Sequence, residues 1–102
     1  MKMVMNGLLY DSEKATQIAS YDNCLGAGDF NTRQEILMIT EKGRYFLVGY
    51  GGANTRWCTD NGNTRSGGQG MEVHDRVSAL DWCEQHDIDA DVINKHFEVD
   101  DA

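Results

Sequence analysis

Tyr45-Phe-Leu-Val-Gly-Tyr-Gly-Gly-Ala-Asn-Thr-Arg-Trp57 decides the fold. Aromatic and aliphatic residues run without interruption into a pair of glycines, then into a polar segment tipped by tryptophan. Such a run reads as the most buried strand of the molecule, ending in a bend. Upstream, Arg33-Gln-Glu-Ile-Leu-Met-Ile-Thr40 reads as a second strand. Glu41-Lys-Gly43 supplies the short turn between them, with glycine where a positive φ is required. The two make an antiparallel hairpin over Ile36–Tyr50. Both arms are almost continuously apolar at their centres, so the sheet is expected to be covered over at least part of both faces.

Toward the N-terminus, Gly7-Leu-Leu-Tyr10 and Ala15-Thr-Gln-Ile-Ala-Ser-Tyr21 flank the turn-forming Asp11-Ser-Glu-Lys14 and predict an N-terminal hairpin. A helix over Ser12–Ser20 with Ser12 as its cap competes, but Thr16, Ile18 and Tyr21 favour strand. Asp22–Asp29 is a loop by composition, and Phe30 is expected to return to the core. Past the glycine pair, Thr55–Cys58 is a short edge strand or an extended arm. Asp60–Gly70, with four glycines and two asparagines, is expected to be a mobile surface loop that includes Gly62–Gly70. Met71-Glu-Val73 reads as a last short strand. Asp75 caps a helix over Arg76–His86 whose apolar stripe is Val77, Ala79, Leu80, Trp82 and Cys83. Asp87-Ile-Asp89 breaks it, Asp89 caps a second helix over Ala90–Phe97, and Glu98–Ala102 is a tail expected to fray. The fold class is therefore α+β: a four- to five-stranded antiparallel sheet with one or two C-terminal helices packed on one face. Leu37, Ile39, Phe46, Val48, Leu80 and Trp82 are the expected core.

A chain of 102 residues makes a single domain, 1–102, large enough to bury its own core without metal or disulfide staples. It has no run of about 18 apolar residues to cross a membrane. Its first residues lack the apolar segment of a secretory signal. Three cysteines, Cys24, Cys58 and Cys83, with no Cys-x-x-Cys pair fit reduced thiols in a cytoplasm. Residues 1–70 hold seven Lys/Arg and seven Asp/Glu, whereas residues 71–102 hold two Lys/Arg and ten Asp/Glu. The whole net charge of −8 thus lies in the last third. This disfavours direct contact with nucleic acid, which needs Lys and Arg, and would steer a protein partner with a basic surface.

No catalytic constellation stands out, and no cofactor is expected. Cys58, Cys83, His74 and His86 lack the ligand spacing of a closed zinc site, and Cys83 on the apolar stripe reads as core. Cys58 beside Arg56 is the best thiol nucleophile on offer, but no histidine is fixed near it in sequence. Gly49-Tyr-Gly-Gly52 lacks the lysine and following helix of a phosphate loop, so a tight bend or close backbone packing is the better reading. Asn54, Arg56, Trp57 and Arg65 form a polar-aromatic group of the kind found at interaction hot spots, with a buried Trp57 as the equal alternative. Asp81, Glu84, Asp87, Asp89 and Asp91 form an acidic series that exceeds what helix capping needs and makes a candidate docking face.

Gly7-x-Leu-Tyr-Asp11, Gly28-Asp-Phe30, Thr40-x-Lys-Gly43, Tyr45-Phe-Leu-x-Gly-x-Gly-Gly-Ala53 and Ala79-Leu-x-Trp82-x-Glu84-x-His86 together resemble a family of small bacterial and mobile-element proteins. The resemblance implies an antiparallel sheet with C-terminal helices. Tyr50 and Thr55-Arg-Trp57 depart from its pattern, so a contact made there would have a different target. Small size, one domain and an acidic surface also resemble phage-encoded anti-CRISPR proteins in type, which block nucleic-acid-binding effectors by occupying basic surfaces. That implies a non-enzymatic inhibitor in the bacterial cytoplasm whose partner is a CRISPR effector subunit or a related protein. A ligand-binding accessory domain of a mobile element is the alternative, and a small enzyme using Cys58 the third.

Overall fold

A computed structural model of the chain describes residues 1–26, 28–97 and 99. Its centre is an antiparallel sheet ordered β3-β4-β5-β8, formed by β3 (Thr16–Asp22), β4 (Arg33–Ile39), β5 (Tyr45–Gly51) and β8 (Gly68–His74). The β4–β5 hairpin pairs Ile39 with Tyr45 at the turn and Arg33 with Gly51 at the far end. Two smaller sheets flank it: β1 (Lys2–Met5) with β2 (Leu8–Asp11), and β6 (Thr59–Asp60) with β7 (Arg65–Ser66). Helices α1 (Arg76–Gln85) and α2 (Ala90–Phe97) complete the α+β fold at the C-terminus.

Strand alternation sorts the side chains of the sheet into two cores. On one face, Ile18, Leu37 and Leu47 meet Trp57, Ala79, Trp82, Cys83 of α1 and Phe97 of α2. On the other, Met38, Phe46, Val48 and Met71 meet Tyr10 of the β1–β2 hairpin, whose ring packs edge-on against Phe46 at 5.5 Å. Both faces are thus covered, as the apolar arms of β4 and β5 require. Of the expected core, Leu37, Phe46, Val48 and Trp82 are buried, while Ile39 and Leu80 are half-buried against the helix-side cluster.

The N-terminal pairing differs from expectation. Leu8–Asp11 pairs with β1 rather than with the segment after it, because Asn6-Gly7 makes the tight turn, with φ of 54° and 76°. Asp11–Ala15 is also a turn, closed by Ala15 N–H on Asp11 O at 3.1 Å, but it carries the chain into β3 at the edge of the central sheet. Phe30 does not return to the core: its side chain is 70% exposed, and it is its backbone carbonyl that packs, accepting from Asn54 N–H at 2.8 Å. Val77 is likewise 65% exposed, since two residues before Ala79 lies the opposite side of α1. Thr55–Cys58 is a turn, not a strand. Much of Asp60–Gly70 is ordered into the β6–β7 hairpin and the start of β8, which is longer than Met71–Val73. Except for the exposed Val99, the Glu98–Ala102 tail lies outside the described residues.

Candidate functional site

The segment after β5 folds back over the sheet, and the glycines explain how. Gly49 and Gly70 are partners across β5 and β8, and together they form a flat floor under the Trp57 indole. A Cβ on Gly49 would fall inside the indole, and one on Gly52 would strike the carbonyls of Asp29 and Phe30. Close packing is therefore the role of this glycine cluster, and Trp57, only 8% exposed, is a core residue.

Its indole N–H donates to Glu35 Oε2 at 2.8 Å, and that of Trp82 on α1 donates to Glu35 Oε1 at 3.0 Å. A single carboxylate, itself buried, thus fastens the Trp57 segment and α1 to the central sheet. Both its oxygens accept, one from each indole. His86 closes the cluster with Nε2 3.7 Å from Glu35 Oε1, and its ring lies on Tyr21 with centroids 3.9 Å apart. Burial pushes the His86 pKa down and the Arg33 charge adds to this; Glu35 pulls the other way without cancelling it.

Arg56 lies outside this clasp. It pairs with Glu72, its guanidinium carbon sits 4.8 Å above the Trp57 ring, and Glu72 in turn faces His74 Nε2 at 2.8 Å. Burial works to raise the Glu72 pKa, but the Arg56 hydrogen bond and charge, with help from His74, outweigh it and hold the carboxyl below its usual value. Asn54 and Arg56 line one small cleft with Asn23, Asn31, Arg33 and Thr55. Arg65 does not join them: it stands on β7, with Nε 3.7 Å from Asp60 Oδ2. The expected polar-aromatic group is thereby divided into a buried tryptophan, a cleft pair and an outlying arginine.

No family model, curated protein or solved structure matches this chain. The functional reading therefore rests on the chain's own geometry.

Asp81, Glu84, Asp87, Asp89 and Asp91 are all exposed on the α1–α2 end of the molecule. Local structure accounts for two of them. Asp89 Oδ1 accepts from Asp91 N–H at 2.8 Å at the start of α2, and Asp91 lies in the first turn, where the helix dipole favours an acid. It does not account for Asp81 or Glu84, nor for the charge on Asp87. Helix α1 ends in a Schellman motif, with Ile88 N–H on Cys83 O at 3.1 Å and Asp87 N–H on Glu84 O at 3.4 Å. Asp87 thus occupies the left-handed position, φ 51°, that glycine normally fills. Glu84 and Asp87 bring negative charge to the negative pole of α1, whose last turn holds no basic residue. Among the described residues none of the five makes an ion pair.

Cys83 is fully buried, and burial, helped by the Glu84 charge, pushes its pKa up to about 11. Cys58 is half-buried and Cys24 exposed, and neither is in a disulfide. Among the described residues no group of three or more His, Cys, Asp or Glu side chains is placed to hold a metal ion. None of their helices is long and apolar enough to cross a membrane.

The Glu35 clasp is what sequence reasoning missed. The signal that bore on it was a carboxylate in phase with Leu37 at the start of the apolar run of β4, followed at long range by the chain's only two tryptophans.

Proposed function

We propose that the protein is a non-enzymatic binder whose α1–α2 face docks on the basic surface of a protein partner. The partner we infer is a nucleic-acid-binding effector, which this face would inhibit by competing with the nucleic acid. This is the mode of action of anti-CRISPR proteins, and the motif resemblance to mobile-element proteins is consistent with it. One observation carries the reading: Asp81, Glu84 and Asp87 are exposed, without ion pairs among the described residues, and two of them stand where the helix disfavours them. Charges that the fold does not need and partly resists are best explained by what they meet outside it.

The test is a pull-down with tagged protein from bacterial lysate at low and high salt, alongside a variant with Asp81, Glu84, Asp87 and Asp91 all changed to Lys. Asp89 is left in place because it starts α2. Wild type is expected to recover a nucleic-acid-binding protein at low salt and less of it at high salt; the variant is expected to recover none. Equal recovery by the two proteins would rule the mechanism out. Folding of the variant is checked by circular dichroism and a thermal melt, because lysine suits the dipole at position 84 but not the left-handed backbone at 87 or the first turn of α2 at 91.

A further inference from the structure

The cleft beside the Trp57 segment has an unusual lining for so acidic a chain. Its volume is about 220 Å³, and Asn23, Asn31, Arg33, Asn54, Thr55 and Arg56 line it. That places two guanidinium groups, three carboxamides and a hydroxyl around one space, with no carboxylate among them. Arg56 is already engaged by Glu72, and Asn23 is spent on structure: its Oδ1 accepts from Arg33 N–H at 3.0 Å and its Nδ2 donates to Asn31 O at 2.8 Å. Arg33 is different. Among the described residues it makes no ion pair, and its Nε is buried without a hydrogen-bond partner. That atom has no open surface, so an anion in the cleft would meet the terminal guanidinium nitrogens of this half-buried residue and draw the whole group into a paired state. The group is also held in place in advance, since its guanidinium carbon lies 5.3 Å above the Tyr21 ring, on which the His86 ring also packs. Asn31 and Asn54 stand exposed on the same cleft, with carboxamides able to donate.

We propose that this cleft binds one oxyanion group, a phosphate or a carboxylate, with Arg33 as its principal donor and the amides of Asn31 and Asn54 beside it. The planar guanidinium fork matches either group. Pockets for whole small molecules run to about 300–1,000 Å³, so this one has room for a single anionic group and not for an entire nucleotide. None of the five acids of the helical face lines this cleft.

The test uses the full chain and two probes, inorganic phosphate and acetate, each against sodium chloride at matched ionic strength. The readout is the proton–nitrogen NMR signals of Arg33 Nε–H and of the Asn31 and Asn54 side-chain amides. At least one probe is expected to shift these signals saturably while chloride does not, and the probe that wins tells phosphate from carboxylate. Arg33→Gln is expected to weaken binding at least about tenfold, the loss of one charge-assisted hydrogen bond. Asn54→Ala, an exposed change that leaves the fold intact, is expected to weaken it several-fold. Shifts that rise linearly, match those of chloride, or persist unchanged in Asn54→Ala would overturn the proposal. The four-lysine variant of the helical face keeps every cleft residue, so at about 0.15 M ionic strength, where its changed overall charge is screened, it is expected still to titrate saturably, which keeps the two proposals separately testable.

Discussion

Glu35 sits between Arg33 and Leu37 on β4 with its carboxylate turned toward the helices, and two indole N–H groups depend on it. Glu35→Gln keeps the shape but offers one acceptor oxygen for two donors, and sets an amide N–H against one indole. The expected cost is about 1–3 kcal/mol, read as a lower urea midpoint at unchanged slope; a midpoint equal to wild type would mean that the clasp contributes nothing. Gly49→Ala attacks the same clasp from below by placing a methyl group where the Trp57 indole lies. Its signature is a red shift in tryptophan fluorescence as the ring is expelled. His86 adds a pH dependence whose sign follows from its depressed pKa. Above the ordinary value of 6.5 the ring is neutral in both folded and unfolded chains, and its full contribution is present. Below it the unfolded chain takes the proton first, so stability declines as pH falls toward the folded-state value. His86→Gln is expected to flatten this part of the profile just below pH 6.5. The later losses, as the depressed carboxyls of Glu72 and Asp75 protonate below 4.5 and 3.8, are expected to remain.

The two helices obey opposite rules. In α2 the acid Asp91 is in the first turn and Lys95 and His96 are in the last, as the dipole favours. Helix α1 has neither arrangement and ends on Glu84 and Asp87. Asp87→Asn retains a residue that tolerates positive φ and removes the opposing charge, so it is expected to stabilise the fold by roughly 0.3–1 kcal/mol. On the proposed function the same change weakens partner binding, and gaining stability without losing affinity would remove Asp87 from the docking face. The elements themselves were largely legible in the sequence, because their signals are local: Asp75 and Asp89 before apolar periodicity, and a continuous apolar run on each side of Glu41-Lys-Gly43. What was not legible was non-local. The N-terminal pairing is the exception, since its signal was local: Asn6-Gly7, positive in φ at both residues, closes the hairpin in place of Asp11–Ala15. The floor under Trp57 needs the Gly49–Gly70 register, and the burial of Glu35 needs partners 22 and 47 residues away. A strand pattern alone gives such a carboxylate no reason to be buried.

Across the whole molecule, salt is expected to move stability and binding in opposite directions. The chain carries −8, all of it after residue 70, within principal extents of 48 × 32 × 20 Å. At about 0.01 M ionic strength the screening length is roughly 30 Å, comparable with the molecule itself, so the acids of α1 and α2 repel one another across the whole face. At about 0.15 M it falls to roughly 8 Å and only near neighbours still interact. Self-repulsion in the folded state is thereby relieved, and the melting temperature is expected to rise with added sodium chloride. The attractive pairs that salt would weaken, Arg56–Glu72 and Arg65–Asp60, are exposed and contribute little against this. On the proposed function, the same screening removes the long-range attraction to a basic partner, so association is expected to slow and affinity to fall over the same range. Thermal melts and binding kinetics in one salt series separate the possibilities. A melting temperature that falls with salt would mean that attractive pairs dominate the fold, whereas an affinity that ignores salt would mean that the acidic face does not steer the encounter. A rise in one with a fall in the other is the pattern of a surface whose charge is maintained for its partner against the preference of the fold.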